Sequence, residues 1–234
     1  GFDVLVLRGG YKAFRRWALA TFARPHRFII ISGYTGSGKT ELLQQLAQRG
    51  ESTLDFEQLA SHRGSAFGSL GLGQQPTQQQ FENALALELW KHRSAERIWI
   101  EDESRRVGMI TIPDGIWTAM QSAPIIALDI PLEHRIERLV TEYGAYSPSS
   151  LAQSLHAIRE RLGTERYTRA LEALERGDMK TVARLALEHY DKAYRHSLRK
   201  RAHRVCWLTA ASSEVALNEL LDLASLQYTT DSQQ

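Results

Sequence analysis

The sequence has 234 residues, 43% of them hydrophobic, which is enough for one large α/β domain or for a domain with a helical appendage. Its 29 basic and 27 acidic side chains leave a formal charge of +2, which excludes a polyanion-binding surface created by net charge alone. The single cysteine, Cys206, excludes an internal disulfide and a metal site built from several cysteines.

The chain begins with seven residues that include neither an initiator Met nor a charged leader. We therefore expect a piece of a longer protein that has no signal peptide at this point. The apolar runs are far shorter than the roughly 20 residues that cross a bilayer. Together with the lone cysteine, these features predict a protein of the cytoplasm that makes no membrane contact.

Short apolar runs alternate with helical patterns along most of the chain. The helical patterns that follow the first two runs place their apolar residues on one face. The predicted strands are 27–32, 52–56, 97–101, 124–130 and 204–209, and the predicted crossover helices are 40–49 and 81–92. This order predicts a doubly wound parallel sheet.

Two segments interrupt the alternation. Residues 61–80 are rich in Gly, Ser and Gln and are too long for a simple connection, so we predict a mobile lid or substrate loop. From Ser149 to about Arg201 the pattern is almost continuously helical, and it falls between the fourth and fifth strands. The predicted division is a helical insert at 146–203 within an α/β core formed by 23–145 and 204–234.

A phosphate-binding motif follows the first predicted strand. It reads Gly33-Tyr34-Thr35-Gly36-Ser37-Gly38-Lys39-Thr40 and matches the pattern G-x-x-x-x-G-K-[ST]. Its glycines let consecutive backbone N–H groups surround phosphate oxygens, and the next helix adds the positive end of its dipole. Lys39 can contact the terminal phosphate, and Thr40 can ligate Mg²⁺, the predicted cofactor. The predicted fold class is therefore α/β, a P-loop NTPase-like sheet of about five strands in nucleotide-kinase-like order, with a helical insert.

Acidic residues follow the third predicted strand, at the sheet edge where α/β proteins bind ligands. We expect Glu101 or Asp102 to hold Mg²⁺ or its water and the other to act as a base, with Thr40 and Asp102 as the metal ligands. An acidic helix cap is the alternative interpretation. Arg105 and Arg106 come next and can neutralise a leaving diphosphate, although both could also be plain surface arginines.

Two further groups of polar residues are candidates. His62 and Arg63 lie just past the second strand and can close over a substrate, although an exposed loop histidine is equally compatible with the sequence. The cations Arg199, Lys200 and Arg201 lie in a stretch without acids and can contact RNA phosphates, with a solvated helix end as the alternative.

Several stretches resemble the tRNA 2-selenouridine synthase family. They are residues 9–15 (GGYKAFR), 32–43 (SGYTGSGKTELL), the HRGS within 59–68, QPTQ with FE in 75–82, and 99–108 (WIEDESRRVG). The resemblance covers most of residues 1–145, and the helical remainder is compatible with it. It implies that residues 3–16 are the last strand and helix of an N-terminal rhodanese-like domain, leaving 1–22 as its remnant.

The resemblance also implies an activity. Family members are transferases that convert wobble 2-thiouridine of tRNA to 2-selenouridine through an S-geranyl intermediate, with geranyl diphosphate and selenophosphate as co-substrates. The rhodanese active-site cysteine of the family has no counterpart here, so we expect that this piece alone does not complete selenium transfer. The implied partners are tRNA and the rhodanese-like domain of the full-length protein.

The resemblance and the motif together give a more detailed hypothesis. We predict that the P-loop binds the diphosphate of geranyl diphosphate, because Mg²⁺, Lys39 and arginines stabilise the charge on a departing diphosphate. Whether it also receives selenophosphate stays open. The geranyl chain needs an apolar groove, expected between the 61–80 segment and the helical insert. Tyr34 is a candidate to stack on the unpaired base.

Two alternatives remain. Without the resemblance, the residues favour a nucleotide-kinase-like, ATP-dependent phosphotransferase. The third hypothesis is a nucleotide-controlled RNA-binding module, in which the P-loop closes a lid over RNA but performs no chemistry.

Overall fold

The computed structural model describes residues 6–209 and 216–223. The predicted strand near Asp3 begins within residues 1–5, which lie outside the described part. The end of the predicted core, residues 224–234, also lies outside it. The elements are, in chain order, α1 (Gly10–Phe22), β1 (Phe28–Gly33), α2 (Lys39–Gln48), β2 (Thr53–Leu54), α3 (Phe56–Ala60), α4 (Gln78–Lys91), β3 (Ile98–Glu101), β4 (Arg106–Val107), β5 (Ile110–Thr111), α5 (Asp114–Ser122), β6 (Ile125–Leu128), α6 (Leu132–Tyr143), α7 (Pro148–Ala157), α8 (Arg159–Leu162), α9 (Thr164–Glu175), α10 (Met179–Lys200), a 3-10 turn (Ala202–Arg204) and β7 (Val205–Leu208). Residues 216–223 are also helical.

The main sheet contains five parallel strands in the order β2-β3-β1-β6-β7. All six residues of the central strand β1 are buried, as expected when helices cover both faces of a parallel sheet. Counted along the chain, the order is 2-3-1-4-5, which confirms the predicted P-loop NTPase-like class and strand order. The first strand has the predicted six residues and is shifted by one position, whereas the other four strands are shorter than predicted.

Two hydrophobic cores cover the two faces of this sheet. On one face, Phe22 of α1 and Phe81 of α4 pack with Ile30 of β1. On the other face, Leu43 of α2 packs with Trp99 of β3 and with apolar residues of the 216–223 helix. The predicted crossover helices 40–49 and 81–92 are therefore confirmed as α2 and α4.

The helix α1 reaches the sheet core through Phe22 and packs mainly on α4. The guanidinium of Arg15 forms an ion pair with Glu82 and a 3.1 Å hydrogen bond with Asn83. A short antiparallel hairpin, β4 with β5, was not predicted and lies beyond the end of β3. The assignment of residues 1–22 to a separate rhodanese-like unit remains a prediction.

The predicted helical insert consists of α7 to α10 and has a core of its own. Leu155 of α7 and Ala173 of α9 are fully buried there with Val182 of α10. The 61–80 segment packs against this core through Phe67 and Leu70 before α4 begins at Gln78. Because the segment bridges insert and sheet, it lies where a lid is expected, and its mobility stays a prediction.

The longest helix, α10, packs against α6 and α9 and ends beside the carboxyl edge of the sheet. It therefore brings residues of the insert to the phosphate-binding motif. In residues 6–209 and 216–223, every helix is too short or too polar to span a membrane.

Candidate phosphate site

The phosphate-binding motif forms the turn between β1 and α2. Gly36 and Gly38 have φ angles of 80° and 83°, a region that favours glycine. A Cβ atom on Gly36 would also lie 2.9 Å from the carbonyl oxygen of Arg135. The Lys39 ammonium donates a 3.0 Å hydrogen bond to the carbonyl oxygen of Gly33, which holds its charge over the loop. The loop thus has the geometry of an anion cradle.

Three carboxylates lie together beside Lys39. Oxygen atoms of Glu57, Glu101 and Glu103 are within 4.8 Å of one another. Glu101 ends β3 and is 3% exposed, and its Oε1 atom has no hydrogen-bond partner in the described part of the chain. Burial raises the pKa of Glu101, against the opposing effects of Lys39 and a hydrogen bond with Thr40.

The other two carboxyl groups are perturbed by each other and by burial. Burial makes the largest contribution to the raised pKa of Glu57, and the negative charge of Glu103 adds to it. Burial also makes the largest contribution to the raised pKa of Glu103, and the negative charge of Glu101 adds to it. Like charges confined in this way favour a bound proton or a bound cation. With the Thr40 hydroxyl nearby, the oxygen atoms are of the kind that a hard divalent cation such as Mg²⁺ prefers.

Asp102 lies in a different environment from Glu101. Its two carboxylate oxygens accept hydrogen bonds of 2.7 and 2.8 Å from the guanidinium of Arg201, and Oδ2 also accepts from the Ser32 hydroxyl. Its side chain is 6% exposed and that of Arg201 is 15% exposed. The structure therefore separates the two predicted acids, with Glu101 in the carboxylate group and Asp102 in a buried ion pair.

The predicted His62–Arg63 loop covers the carboxylate group. A Cβ atom on Gly64 would lie 2.8 Å from Oε2 of Glu103, so the backbone directly contacts that acid. Nδ1 of His62 accepts from the Gly64 N–H at 3.0 Å, and burial lowers the pKa of His62, favouring the neutral imidazole. Arg63 forms a 3.4 Å ion pair with Glu142 of α6 and lines the cleft above the motif.

Two arginines of α6 reach the motif and were missed by the sequence analysis. Arg135 is 4% exposed, donates two hydrogen bonds to Asp191, and places its guanidinium 4.9 Å from the ring centre of Tyr34. Arg138 forms an ion pair with Glu41 in the first turn of α2, and a Cβ atom on Gly38 would lie 3.0 Å from its Cζ atom. The two arginines lie three positions apart, shortly after the fourth predicted strand, and this spacing was the sequence signal that could have identified them.

The remaining predicted residues lie farther along the same sheet edge. Arg105 forms an ion pair with Asp114 and lines a second cleft, which Lys200 and Arg201 also line. Arg199 is exposed on α10. Tyr34 lies with its ring centre 5.0 Å from that of Tyr194.

Three connected spaces surround the motif. A cleft of about 1000 Å³ lies between α2, Arg63 and α6, and a pocket of about 220 Å³ lies over Lys39 and the carboxylate group. A small cavity of about 50 Å³ extends from Thr35 between Phe67 and α10, and its walls are almost entirely apolar. An oligophosphate and an apolar group can therefore both be held next to the motif.

A family model and curated relatives that match this chain carry the same family description. Residues 26–222 match the family model described as the tRNA 2-selenouridine synthase AAA domain. Proteins named tRNA 2-selenouridine synthase are 34% identical in Hahella chejuensis, over 85% of this chain and 60% of the relative, and 36% identical in Pseudomonas syringae pv. tomato, over 88% and 64%. The relative in Shewanella piezotolerans is 34% identical, over 95% of this chain and 68% of the relative. The chain thus spans about two thirds or less of each relative.

Proposed function

The chain belongs to the tRNA 2-selenouridine synthase family, and from that membership we propose that it is the phosphate-binding part of an enzyme that converts wobble 2-thiouridine of tRNA to 2-selenouridine. The proposed route passes through an S-geranyl intermediate. The observation that carries the proposal is that the anion-binding loop and Lys39 line one pocket with three carboxylates, one of which has a buried oxygen without a partner among the described residues. The enzyme would be a transferase with geranyl diphosphate and selenophosphate as co-substrates.

In the geranylation step, the P-loop holds the diphosphate of geranyl diphosphate. The sulfur of 2-thiouridine forms a bond to the first carbon of the geranyl group as the carbon–oxygen bond to diphosphate breaks, and that electron pair leaves with the diphosphate. The base releases its N3 proton to solvent, so the S-geranyl product is neutral. Lys39 and the backbone N–H groups of Gly36 to Thr40 stabilise this growing charge. Mg²⁺, held by Thr40 and Glu101 with Glu57 or Glu103, would supply further charge neutralisation.

The other predicted residues take supporting roles in this proposal. Arg63 lines the main cleft and can contact the diphosphate, while His62 shapes the loop through its bond with Gly64. Asp102 positions Arg201 and the end of α10. Arg105 belongs to the neighbouring cleft, and selenophosphate would use the same anion cradle in the second step.

The apolar cavity supports a geranyl site between the 61–80 segment and the insert. Its walls include Phe67, Leu139 and Leu187. At about 50 Å³ the cavity is too small for the whole ten-carbon geranyl group, so the proposal includes outward movement of the 61–80 segment when that group binds. This requirement gives the 61–80 segment the role of a lid.

A nucleotide-kinase-like phosphotransferase is the second candidate, because the sheet has the 2-3-1-4-5 order and the main cleft is large and is lined by Lys39 and Arg138. A nucleotide-controlled RNA-binding module would share its affinity for ATP. Both alternatives predict tight, Mg²⁺-dependent binding of ATP and weak binding of geranyl diphosphate.

Calorimetric titration tests these functions. Geranyl diphosphate, pyrophosphate and ATP are each titrated with Mg²⁺ into the wild-type chain, Lys39→Ala and the control Lys180→Ala, whose exposed lysine lies in the first turn of α10. We expect geranyl diphosphate to bind the wild type and the control, and to lose at least about tenfold in affinity with Lys39→Ala. Geranylation of 2-thiouridine tRNA should fail with the same variant. Undiminished geranylation would remove the P-loop from this step.

A further inference from the structure

A second cleft adjoins the phosphate site and has no role in the reaction described above. It measures about 510 Å³ and lies between residues 102–105, α5 and the end of α10. Thr35, Tyr190 and Tyr194 line both this cleft and the pocket over Lys39. A molecule in the second cleft would therefore be next to a molecule held by the P-loop.

The walls of the cleft combine an aromatic ring, a side-chain amide and cations. Trp117 is half-buried, packs one part of its side chain on the sheet core and also lines the cleft. Gln121 lies one turn later on α5 and is exposed, and Lys200 faces them from α10. An indole, an amide and an ammonium are the groups that stack on a base, bond with its edge and contact its phosphate.

The charge around the cleft also fits a polyanion. From Lys192 to Arg204 the chain has no acidic residue, and its exposed cations include Arg195, Arg199 and Lys200. Two acids line this cleft: Asp102 is already paired with Arg201, and Glu103 belongs to the carboxylate group beside Lys39. Arg195, Arg199 and Lys200 thus form a cationic strip on the C-terminal half of α10, and Lys200 at its end lines the cleft.

We infer that this second cleft receives an unpaired nucleotide of single-stranded RNA, with its base against Trp117 and its flanking phosphates along the end of α10. The inference rests on the proposed function and deepens it by giving the RNA a place. The P-loop already provides the site for a diphosphate, and the second cleft opens onto the cationic strip of α10. A free mononucleotide would occupy the second cleft without contacting the cationic strip, whereas an RNA strand can occupy the cleft and contact the strip.

The test measures binding of a fluorescein-labelled, single-stranded oligouridylate that carries one 5-iodouridine. Trp117→Leu is expected to weaken binding by about fivefold or more, because stacking on an aromatic ring is lost. Lys200→Ala is expected to lower the magnitude of the log–log salt slope by ~0.7, the value for one phosphate contact with a single strand. Irradiation should cross-link the iodouridine to a peptide that contains Trp117 or Tyr194.

Matched controls separate this cleft from general effects. Trp90 is 47% exposed on α4, so Trp90→Leu removes an indole elsewhere, and Lys180→Ala removes an ammonium from the other end of α10. Both should bind the probe as the wild type does. Gln121→Glu places a negative charge in the cleft at an exposed position and should weaken binding even if Trp117→Leu does not fold.

Pyrophosphate titration distinguishes failure of this inference from failure of the proposed function. If the Trp117, Gln121 and Lys200 variants bind RNA normally, or if cross-links fall only on other surfaces, the cleft is not the RNA site. Retained pyrophosphate binding in those proteins would leave the P-loop proposal in place. If the wild type binds RNA as inferred but neither pyrophosphate nor geranyl diphosphate, the P-loop proposal fails separately.

Discussion

Arg138 is the side chain whose position implies the most about ligand binding. Its guanidinium lies beside Gly38 and is held by Glu41, and the ion pair is 40–43% exposed at the edge of the main cleft. An exposed pair of this kind contributes little to stability, so the arginine can exchange Glu41 for a phosphate at small cost. A planar guanidinium is well suited to bind two phosphate oxygens at once.

We therefore expect Arg138→Ala to weaken pyrophosphate binding by about tenfold, since a hydrogen bond with a charged group contributes ~1.5–3 kcal/mol. The free energy of unfolding should change little. The control is Arg184→Ala, which removes an arginine of α10 that is similarly exposed and is paired with Glu133 of α6. Equal affinities of the two variants in calorimetry would contradict a role for Arg138 in phosphate binding.

The carboxylate group should make the stability of the metal-free protein depend on pH. The pKa values of Glu57 and Glu103 are raised from 4.5 to about 9 and about 8, so the folded protein keeps protons that the unfolded chain releases. The free energy of unfolding should then fall as pH rises from about 4.5 towards 8, by at most ~1.4 kcal/mol per pH unit for each retained proton.

Urea unfolding in EDTA at pH 5.5 and 7.5 measures this decrease. Glu57→Gln should reduce it, because the amide has no proton to release, and Glu165→Gln at an exposed position should not. Adding Mg²⁺ at pH 7.5 should restore stability to the wild type. A wild-type protein whose stability is the same at both pH values in EDTA would show that the three carboxyl groups titrate normally.

At the scale of elements, α10 is the helix that joins the insert to the sheet edge. Its Asp191 binds Arg135 of α6, its Tyr194 hydroxyl accepts from the Gly33 N–H, and Arg201 just beyond it binds Asp102. These contacts attach one helix to the phosphate loop, to α6 and to the end of β3. Any movement of the insert is therefore coupled to the loop that holds the phosphate.

The ion pair of Asp102 and Arg201 is the part of this connection that can be measured most directly. Asp102→Asn should lower the free energy of unfolding by about 3–5 kcal/mol, because it leaves Arg201 in a buried position without its counter-charge. Adding Arg201→Leu should recover much of that loss, giving a large coupling energy in a double-mutant cycle. The exposed pair Arg166 and Glu188 provides the control cycle and should give less than ~1 kcal/mol. Additive effects at Asp102 and Arg201 would contradict this structural role.

The elements themselves were largely predictable from local patterns. The buried strands β1, β3 and β6 are continuous apolar runs, and α2 and α4 show helical periodicity, so both kinds of element could be located. The hairpin of β4 and β5 was missed because two residues per strand are too few to show alternation. It is held instead by side chains of α4 and the preceding loop, including Gln78, whose amide bonds to the backbone of Thr111.

At the scale of the whole molecule, the motif was predictable and its surroundings were not. Gly33 to Thr40 can be recognised because its residues are consecutive. Glu57 joins Glu101 only because β2 and β3 are neighbours in the sheet, and Asp102 meets Arg201 across 99 positions of sequence. Local patterns carry no information on how the insert is oriented against the sheet, so these partners, and the separation of Glu101 from Asp102, required the structure.

The apolar cavity is formed jointly by the phosphate loop, the 61–80 segment and the insert, so it tests how the whole molecule is assembled. Ala186 of α10 is buried and lines it. Ala186→Leu should fill the cavity and weaken binding of geranyl diphosphate by about tenfold, which corresponds to ~1.4 kcal/mol and lies within the usual cost of overpacking. Pyrophosphate has no apolar chain, so its affinity should not change.

The comparison of the two ligands is what makes this variant informative. Ala170→Leu is the control, because Ala170 is fully buried in the core of the insert but does not line the cavity. It should lower the thermal midpoint and leave both affinities unaltered. If Ala186→Leu weakens both ligands equally, the substitution disturbs the phosphate loop itself. If it weakens neither, the geranyl chain lies elsewhere, and the 61–80 segment has no need to open over this cavity.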